Sequence, residues 1–197
     1  MHAVVTVRNA TRADVNELSR AMARAFEDDP VMSWLYPGRP RLESFFRGYE
    51  FKLHLQHGAV YTTDDLAGAA VWAPPDEWRT GALDLLRVSP GLLRVTGARI
   101  VRALRTMTAV ESRHPKEPHW YLAALGTDPA KQGKGIGSAL LAPILERCDT
   151  EGVPAYLESS KDSNVPFYRR HGFEVTEQIQ LPNGPKVWPM WRDPRPA

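Results

Sequence analysis

The residues best suited to chemistry form a glycine-rich stretch in the second half of the chain. Gly133, Gly135 and Gly137 occupy alternate positions, and an apolar helical pattern follows them. Glycines let successive backbone N–H groups turn toward one point, and the start of a helix adds unpaired N–H groups and a positive dipole. The stretch therefore predicts a cradle for a pyrophosphate group, with Lys131 and Lys134 adding positive charge at its rim. The alternative is a flexible turn between a strand and a helix that binds nothing.

The spacing of these glycines excludes two common nucleotide-binding loops. A Walker A loop needs Lys and then Ser or Thr directly after its last glycine, and no glycine pair at that spacing is followed by them. A dinucleotide-binding loop needs a further glycine at the position of Leu140. The pattern that remains is Gln132-x-x-Gly135-x-Gly137.

Length and composition indicate an ordinary globular domain. The chain has 197 residues, of which 43% are hydrophobic and 24% charged, and its formal net charge is +2. The single cysteine, Cys148, excludes an internal disulfide and favours a reducing, cytoplasmic location. No apolar run approaches the roughly 18 residues of a membrane span, so we expect no membrane contact. The six histidines show no ligand spacing, so we expect no metal site.

Strand and helix patterns alternate along the chain, which indicates the α/β class. The strand patterns are β-branched or continuously apolar, and the helical ones repeat their apolar residues at helical spacing. Strands are predicted at 3–9, 119–127 and 154–160, hairpins at 58–75 and 174–191, and helices at 11–26, 41–55, 83–113, after the glycines, and within 164–173.

An insertion-like helical segment is expected at 74–117 within a single domain of residues 1–197. Its least regular part is 74–91, and Pro90 and Gly91 are expected to interrupt its helical pattern. Arginines dominate its polar positions from Arg87 to Arg113. Such a face is typical of a solvated helix surface, and the lack of interleaved aromatic residues argues against nucleic-acid binding.

A second motif follows the glycine stretch and makes a resemblance recognisable. Asn164 and Tyr168 are followed by the pair Gly172-Phe173, in the pattern N-x-x-x-Y-x-x-x-G-F. In this order the two motifs resemble the GNAT superfamily of acetyl-CoA-dependent N-acetyltransferases. The second half of the chain is also similar to puromycin N-acetyltransferases. The resemblance implies a mixed central sheet with splayed fourth and fifth strands and helices on both faces.

The resemblance also implies where acetyl-CoA binds. The pantetheine arm is expected between the splayed strands, against the backbone of Leu125, Gly126 and Thr127. Asn164 is expected to contact the cofactor. The diphosphate is expected on the cradle, which is formed by Gln132, Gly133, Lys134, Gly135, Ile136, Gly137 and Ser138.

Acetyl transfer to an amine needs an acid and a base, and the resemblance implies candidates for both. Tyr168 occupies the position of the general acid that protonates the leaving thiolate. An alkyl ammonium, with a pKa near ~10, must lose a proton before it attacks. Glu158, in a predicted strand beside the splay, and His119, at the start of the preceding strand, are candidates for the base, and direct transfer to water is the third alternative.

The acceptor is expected to be a primary amine of a small molecule, such as an antibiotic-like amine. The alternatives are a protein or peptide amine, and a non-catalytic acyl-CoA-binding regulator. The acidic run 27–29 either attracts a cationic amine or simply ends a helix. Trp34, Tyr36 and Trp72 either line an acceptor pocket or belong to the core. The chain is expected to be a monomer or a homodimer.

Overall fold

The computed structural model describes residues 5–79 and 81–195, and a mixed β-sheet organises them. The spatial order of the strands is β1-β2-β3-β4-β5-β8-β6, and β7 pairs with β8 outside this path. The strands run β1 Val7–Asn9, β2 Val60–Thr63, β3 Gly68–Ala73, β4 Trp120–Thr127, β5 Ala155–Ser159, β6 Glu174–Val175, β7 Ile179–Gln180 and β8 Lys186–Arg192.

Helices lie in the β1–β2, β3–β4, β4–β5 and β5–β6 connections. The α-helices run α1 Val15–Ala25, α2 Pro30–Leu35, α3 Arg39–Phe45, α4 Phe51–His54, α5 Ala82–Thr96, α6 Ile100–Glu111, α7 Ile136–Glu151 and α8 Val165–Arg170. A π-helical turn, Phe46–Glu50, links α3 to α4. No helix among the described residues is both long and apolar enough to cross a membrane.

The pairing of β4 with β5 is parallel, while the other strand pairs are antiparallel. A parallel pair needs a crossover connection, and α7 provides it. The α/β class and the mixed sheet are therefore confirmed, as are the predicted hairpins, β2–β3 and β7–β8.

The fourth and fifth strands separate along their length. Pairing runs only from Trp120 opposite Ala155 to Leu122 opposite Leu157. Beyond that point β4 continues to Thr127 while it pairs with β3 alone. The splay implied by the sequence is present, and it leaves one side of the second half of β4 without a strand.

A β-bulge in β4 lies where this separation begins. Val71 of β3 pairs with Ala124, but Trp72, the next residue of β3, pairs with Leu122. The extra residue, Ala123, reverses the alternation of faces. Leu122 therefore packs beneath α7, whereas Ala124 packs beneath α1.

Helices cover both faces of the sheet, as the fold class predicts. On one face, Leu140 and Ile144 of α7 pack with Trp72 and are fully or almost fully buried. On the other face, Leu18 and Met22 of α1 pack with Val71, Phe46 and Phe51. The sheet thus lies between two apolar layers, and the ends of β4 and β5 open between the helices that form them.

The segment between β3 and β4 is more regular than its sequence suggests. The predicted break at Pro90 and Gly91 is wrong: α5 runs through Pro90, and the chain breaks instead at Gly97, where φ is +50°. Pro90 lacks the N–H that would bond to the carbonyl of Leu86, and the Ser89 hydroxyl donates to that carbonyl at 3.0 Å instead. The irregular stretch predicted for 74–91 therefore ends at Ala82, where the helix begins.

Gly68 allows β3 to approach the end of β4, which gives a first prediction. A Cβ at Gly68 would lie 2.1 Å from the carbonyl oxygen of Gly126 and 2.9 Å from the Cα of Thr127. Gly68→Ala must therefore push the two strands apart, and we expect it to lower the free energy of unfolding by about 1–3 kcal/mol. Urea unfolding followed by circular dichroism measures this.

Gly48→Ala is the matched control, because nothing lies within 4 Å of a Cβ at Gly48. It should change the free energy of unfolding by less than about 0.5 kcal/mol or raise it slightly. Equal effects of the two substitutions would show that the close approach at Gly68 does not limit the sheet.

Candidate active site

The predicted cradle is a tight turn that connects β4 to α7. The carboxylate of Asp128 accepts from the N–H of Ala130 at 3.1 Å and starts a single 3-10 turn. Gly133 and Gly135 then adopt left-handed conformations, with φ of +76° and +79°. This region is accessible to glycine at little cost, and it brings the chain directly into the first turn of α7 at Ile136.

The backbone N–H groups of residues 133–138 find no hydrogen-bond acceptor among the described residues; the first helical bond beyond them joins Ala139 to the carbonyl of Gly135 at 3.0 Å. A Cβ at Gly133 or at Gly135 would meet nothing within 4 Å, so the space beside both is open. Unpaired N–H groups at a helix start form an anion site, so the geometry fits the predicted pyrophosphate.

Side chains of the turn divide into those that brace it and those that point away. The amide of Gln132 donates to the carbonyl of Thr127 at 3.1 Å and ties the turn to the end of β4. Lys131 forms an ion pair with Asp65 at 2.8 Å, so its charge is not offered to the cradle as expected. Lys134 is exposed and is not among the residues that line the adjoining cavity.

A cavity of about 840 Å³ lies against the cradle and reaches the end of β4. It contains most of the predicted cofactor residues together with residues of α1 and α8. Its lining residues include Leu125, Gly126, Thr127, Gln132, Gly133, Gly135, Ile136, Gly137, Ser138, Asn164, Phe167 and Tyr168. The structure thus brings the predicted strand, cradle and motif residues to one space.

Tyr168 lies in this cavity as a protonated donor. Its ring is buried and packs edge-on against Phe167 and Phe173. Burial raises the pKa of its hydroxyl, and the nearby Asp29 carboxylate raises that pKa further. The hydroxyl therefore keeps its proton at neutral pH and can donate it.

Phe167 positions α8 against the cradle. A Cβ at Gly137 would lie 3.3 Å from the Phe167 ring, so a larger residue there would displace the ring. The Ser138 hydroxyl lies 3.0 Å from Nε2 of His171, the residue that ends α8. Burial lowers the pKa of His171, and neighbouring arginines lower it further, which favours the neutral ring.

Sequence reasoning missed the cationic residues of the cavity. Arg24, Lys161 and Arg170 line it from three separate parts of the chain. Arg24 pairs with Asp128, and Lys161 pairs with Asp28, so both are held in place by carboxylates. No motif carries these positions, and only the fold brings them together.

Glu158 and His119 lie together in a buried polar cluster and do not line the described cavity. The hydroxyl of Tyr121 donates to Oε2 of Glu158 at 2.8 Å. Nδ1 of His119 lies 2.6 Å from the carbonyl oxygen of Glu117, and Nε2 lies 3.0 Å from Nε2 of His114. Burial lowers the pKa of His119, so its ring is neutral at pH 7. Sequence reasoning missed His114 and Tyr121.

The acidic run 27–29 is used by the fold. Asp29 accepts from the N–H groups of Val31 and Met32 at 3.0 and 2.9 Å and so caps α2. Glu27 forms an ion pair with Arg39, although it also borders the cavity. The interpretation that these residues end one helix and begin the next is therefore supported.

The three aromatic residues considered for an acceptor pocket contribute to packing. Trp72 is fully buried beneath α7. Tyr36 stacks on Phe45 at 4.7 Å between ring centroids, and Arg102 lies over the Trp34 ring at 4.9 Å. Within residues 5–79 and 81–195, no group of three or more His, Cys, Asp or Glu residues is placed to hold a metal ion.

Comparisons with known proteins agree with this geometry. Residues 100–193 match the family model described as the acetyltransferase (GNAT) domain. An uncharacterized N-acetyltransferase from Schizosaccharomyces pombe is 31% identical over 189 residues, which span 87% of this chain and 76% of that protein.

Solved structures of acetyltransferases share the fold. A Corynebacterium glutamicum protein described as histone acetyltransferase HPA2 and related acetyltransferase is 27% identical, with a TM-score of 0.70 over 98% of both chains. A polyamine N-acetyltransferase from Drosophila melanogaster superposes with a TM-score of 0.69 at 14% identity, over 96% of this chain and 100% of that one.

The ion pair between Asp128 and Arg24 gives a prediction about pH. Hydrogen bonds from Arg24 lower the pKa of Asp128 from 3.8 in the folded chain. Ionised Asp128 therefore stabilises the folded state above the unfolded pKa, and this contribution is lost as the pH falls through the folded pKa. Because the pair is partly exposed, Asp128→Asn should lower the free energy of unfolding by at most about 1 kcal/mol at neutral pH.

The difference between the wild type and Asp128→Asn should shrink as the pH is lowered below about 4. Urea unfolding at a series of pH values measures it. A difference that stays constant, or grows toward acid, would contradict the assignment of the pair.

Proposed function

The chain belongs to the GNAT family of acetyltransferases, and on that premise we propose that it transfers the acetyl group of acetyl-CoA to a primary amine of a small molecule. The observation that carries the proposal is the continuity between the unpaired N–H groups of the cradle and the opening between β4 and β5. An elongated thioester with a diphosphate at one end has the chemistry to fill both. Acetyl-CoA is the co-substrate of this family, and when bound it supplies the acetyl thioester.

The residues present fit this co-substrate. We assign the diphosphate to the N–H groups of residues 133–138, which have no acceptor among the described residues. The pantetheine arm is assigned to the open edge of β4 at Leu125, Gly126 and Thr127. Asn164 also lines the cavity. Lys134 is left out of this assignment because it does not line the cavity.

Tyr168 is assigned as the general acid. Tyr168 lines the cavity, and its hydroxyl has a raised pKa and receives no hydrogen bond from the described residues. A phenol in this state holds a proton that it can give to the leaving thiolate.

Glu158 is assigned as the general base in preference to His119. Both ring nitrogens of His119 are engaged, one by the Glu117 carbonyl and one by His114, so neither is free for an acceptor. Glu158 follows the last residue of β5 that pairs with β4, so its backbone lies where the two strands separate, next to the described cavity that its side chain does not line. It takes one proton from the acceptor ammonium, so that the amine can form the new N–C bond as the C–S bond breaks. The nitrogen loses a second proton as the amide forms, and this proton replaces the one that Tyr168 gave to the thiolate. After turnover Glu158 alone carries an extra proton, which it loses to water.

A protein amine is the second candidate acceptor. It is favoured by the 27% identity, over 98% of both chains, to the Corynebacterium glutamicum protein described as a histone acetyltransferase and related acetyltransferase. The resemblance to puromycin N-acetyltransferases, which was inferred from the sequence of the C-terminal half alone, favours a small, antibiotic-like amine instead.

A thiol-release assay distinguishes the two candidates. Each reaction contains purified protein, acetyl-CoA and one acceptor. The acceptors are puromycin, simple aryl and alkyl primary amines, and a lysine-containing histone-tail peptide. We expect thiol release with at least one small amine, with the acetylated product identified by mass spectrometry. The same amine in its N-acetylated form is the control and should release no thiol above the rate without an acceptor.

Release with the peptide alone would replace the small-molecule proposal with the protein-amine candidate. Binding of acetyl-CoA by calorimetry, with no release for any amine or peptide, would overturn transfer to an amine. No binding at all would overturn the assignment of the cradle.

Tyr168→Phe tests the acid separately from the cradle. Loss of the hydroxyl should lower kcat by about 10²–10⁴-fold, because the thiolate then leaves without a proton. The dissociation constant for acetyl-CoA should change by less than about threefold, since the ring stays in place. Steady-state rates and calorimetry measure the two quantities, and an unchanged kcat with chemistry rate-limiting would remove Tyr168 from the mechanism.

A further inference from the structure

A buried histidine that the mechanism does not yet use lies behind Glu158. His114 follows α6, and its side chain is only 2% exposed. Trp78 stacks on one face of the ring, with centroids 3.5 Å apart. Tyr121 and Tyr156 form edge-to-face pairs with it, with ring centroids 5.0 and 4.7 Å from its own. The ring is therefore held in one plane by three aromatic side chains.

The carbonyl of Glu117 determines where the hydrogens of the two histidines lie. The carbonyl of Glu117 can only accept, so Nδ1 of His119, 2.6 Å away, carries a hydrogen. In the neutral ring Nε2 of His119 is then an acceptor. Nε2 of His114, 3.0 Å from it, must therefore be the donor and carry a hydrogen of its own.

The other nitrogen of His114 faces Glu158. Nδ1 lies 3.3 Å from Oε1 of the carboxylate, an ion-pair distance without hydrogen-bond alignment. Oε2 accepts from the Tyr121 hydroxyl, and Oε1 has no other partner among the described residues. Two lone pairs would repel at this distance, so one proton must reside on Nδ1 or on Oε1.

We propose that His114 is a positioning residue, which shares one proton with Glu158 and holds its carboxylate toward the opening between β4 and β5. This proposal rests on the assignment of Glu158 as the base. With the proton on His114, Glu158 is an anion ready to accept from the acceptor ammonium. The Glu117 carbonyl places the hydrogen of His119 on Nδ1, and His119 in turn places a hydrogen of His114 on Nε2. The hydrogen bonds therefore all run from His114 through His119 to Glu117.

Other ionisable groups pack around this chain. Tyr121 and Tyr156 contact the His114 ring from β4 and β5, and Asp76 acts on His119 from the segment after β3. The hydroxyls of Tyr121 and Tyr156 have pKa values raised by burial and then by Glu158, so both stay protonated. The two tyrosine hydroxyls therefore do not compete for the proton that lies between Glu158 and His114.

Two substitutions at His114 separate its two contacts. Asparagine places an amide donor near the position of Nδ1, so His114→Asn keeps a partner for Glu158 and loses His119. Glutamine reaches the position of Nε2, so His114→Gln keeps His119 and leaves Glu158 alone. His57→Asn, at a half-buried histidine outside this cluster, is the control for the chemical change.

Kinetics with the best acceptor from the thiol-release assay give the first readout. His114→Gln should lower kcat by at least about 10-fold and leave the KM for acetyl-CoA unchanged. His114→Asn should retain most of the wild-type kcat. Both should move the low-pH limb of kcat/KM, because each changes the charge beside Glu158. The proposal would be overturned if both variants lost kcat equally and the low-pH limb of kcat/KM did not move, because His114 would then have only a structural role.

Nitrogen NMR of histidine-labelled protein gives a readout that needs no acceptor. We expect the hydrogen of His119 on Nδ1 and a hydrogen of His114 on Nε2, with the Nδ1 signal of His114 changed by Glu158→Gln. His57→Asn should leave both rings as in the wild type. The shared proton would be overturned, even if an amine is acetylated, by a His114 ring without a hydrogen on Nε2 or by an Nδ1 signal that Glu158→Gln does not change. The expected hydrogen positions without acetylation of any amine would instead show that the proposed function has failed.

Discussion

The second half of β4 has backbone groups on one side that no neighbouring strand satisfies, and the site depends on this fact. β3 pairs with β4 as far as Thr127, but β5 parts from it after Leu122. An extended ligand that offers its own amides can take the place of the missing strand. The turn after Thr127 then lies at one end of that ligand and the buried polar cluster at the other. The parting of two strands thus sets both the shape of the ligand and the direction in which it lies.

The bulge at Ala123 makes this opening compatible with a closed core. By reversing the alternation of β4, it places Leu122 beneath α7 and Ala124 beneath α1, so apolar side chains remain buried on both faces as the strands diverge. Gly126 allows α1 to lie close on the other side, since a Cβ there would be 2.9 Å from the Met22 sulfur. The backbone is therefore exposed to the ligand while side chains continue to exclude water from the sheet.

The parts of the site that are local in sequence could be predicted, and the parts that are assembled could not. The left-handed glycines, the start of α7 and the positions of Asn164 and Tyr168 follow from short patterns whose meaning does not depend on distant residues. The partner of Lys131 is Asp65, which lies far away in sequence, so its charge could not be placed. Pro90 failed as a helix break because Ser89 supplies the missing donor, an exchange that the sequence pattern does not reveal.

The buried polar cluster depends on the register of β4 and β5. Tyr121 lies opposite Tyr156, and Glu158 follows two residues later on the same face, one position beyond the last pair. A slip of one residue would turn Glu158 toward the apolar layer beneath α7, where a carboxylate has no partner. The correct register instead brings it to the Tyr121 hydroxyl and His114. The hydrogen-bonded cluster and the apolar layer therefore select the same pairing, so the residues assigned to proton transfer also help to specify the sheet that positions them.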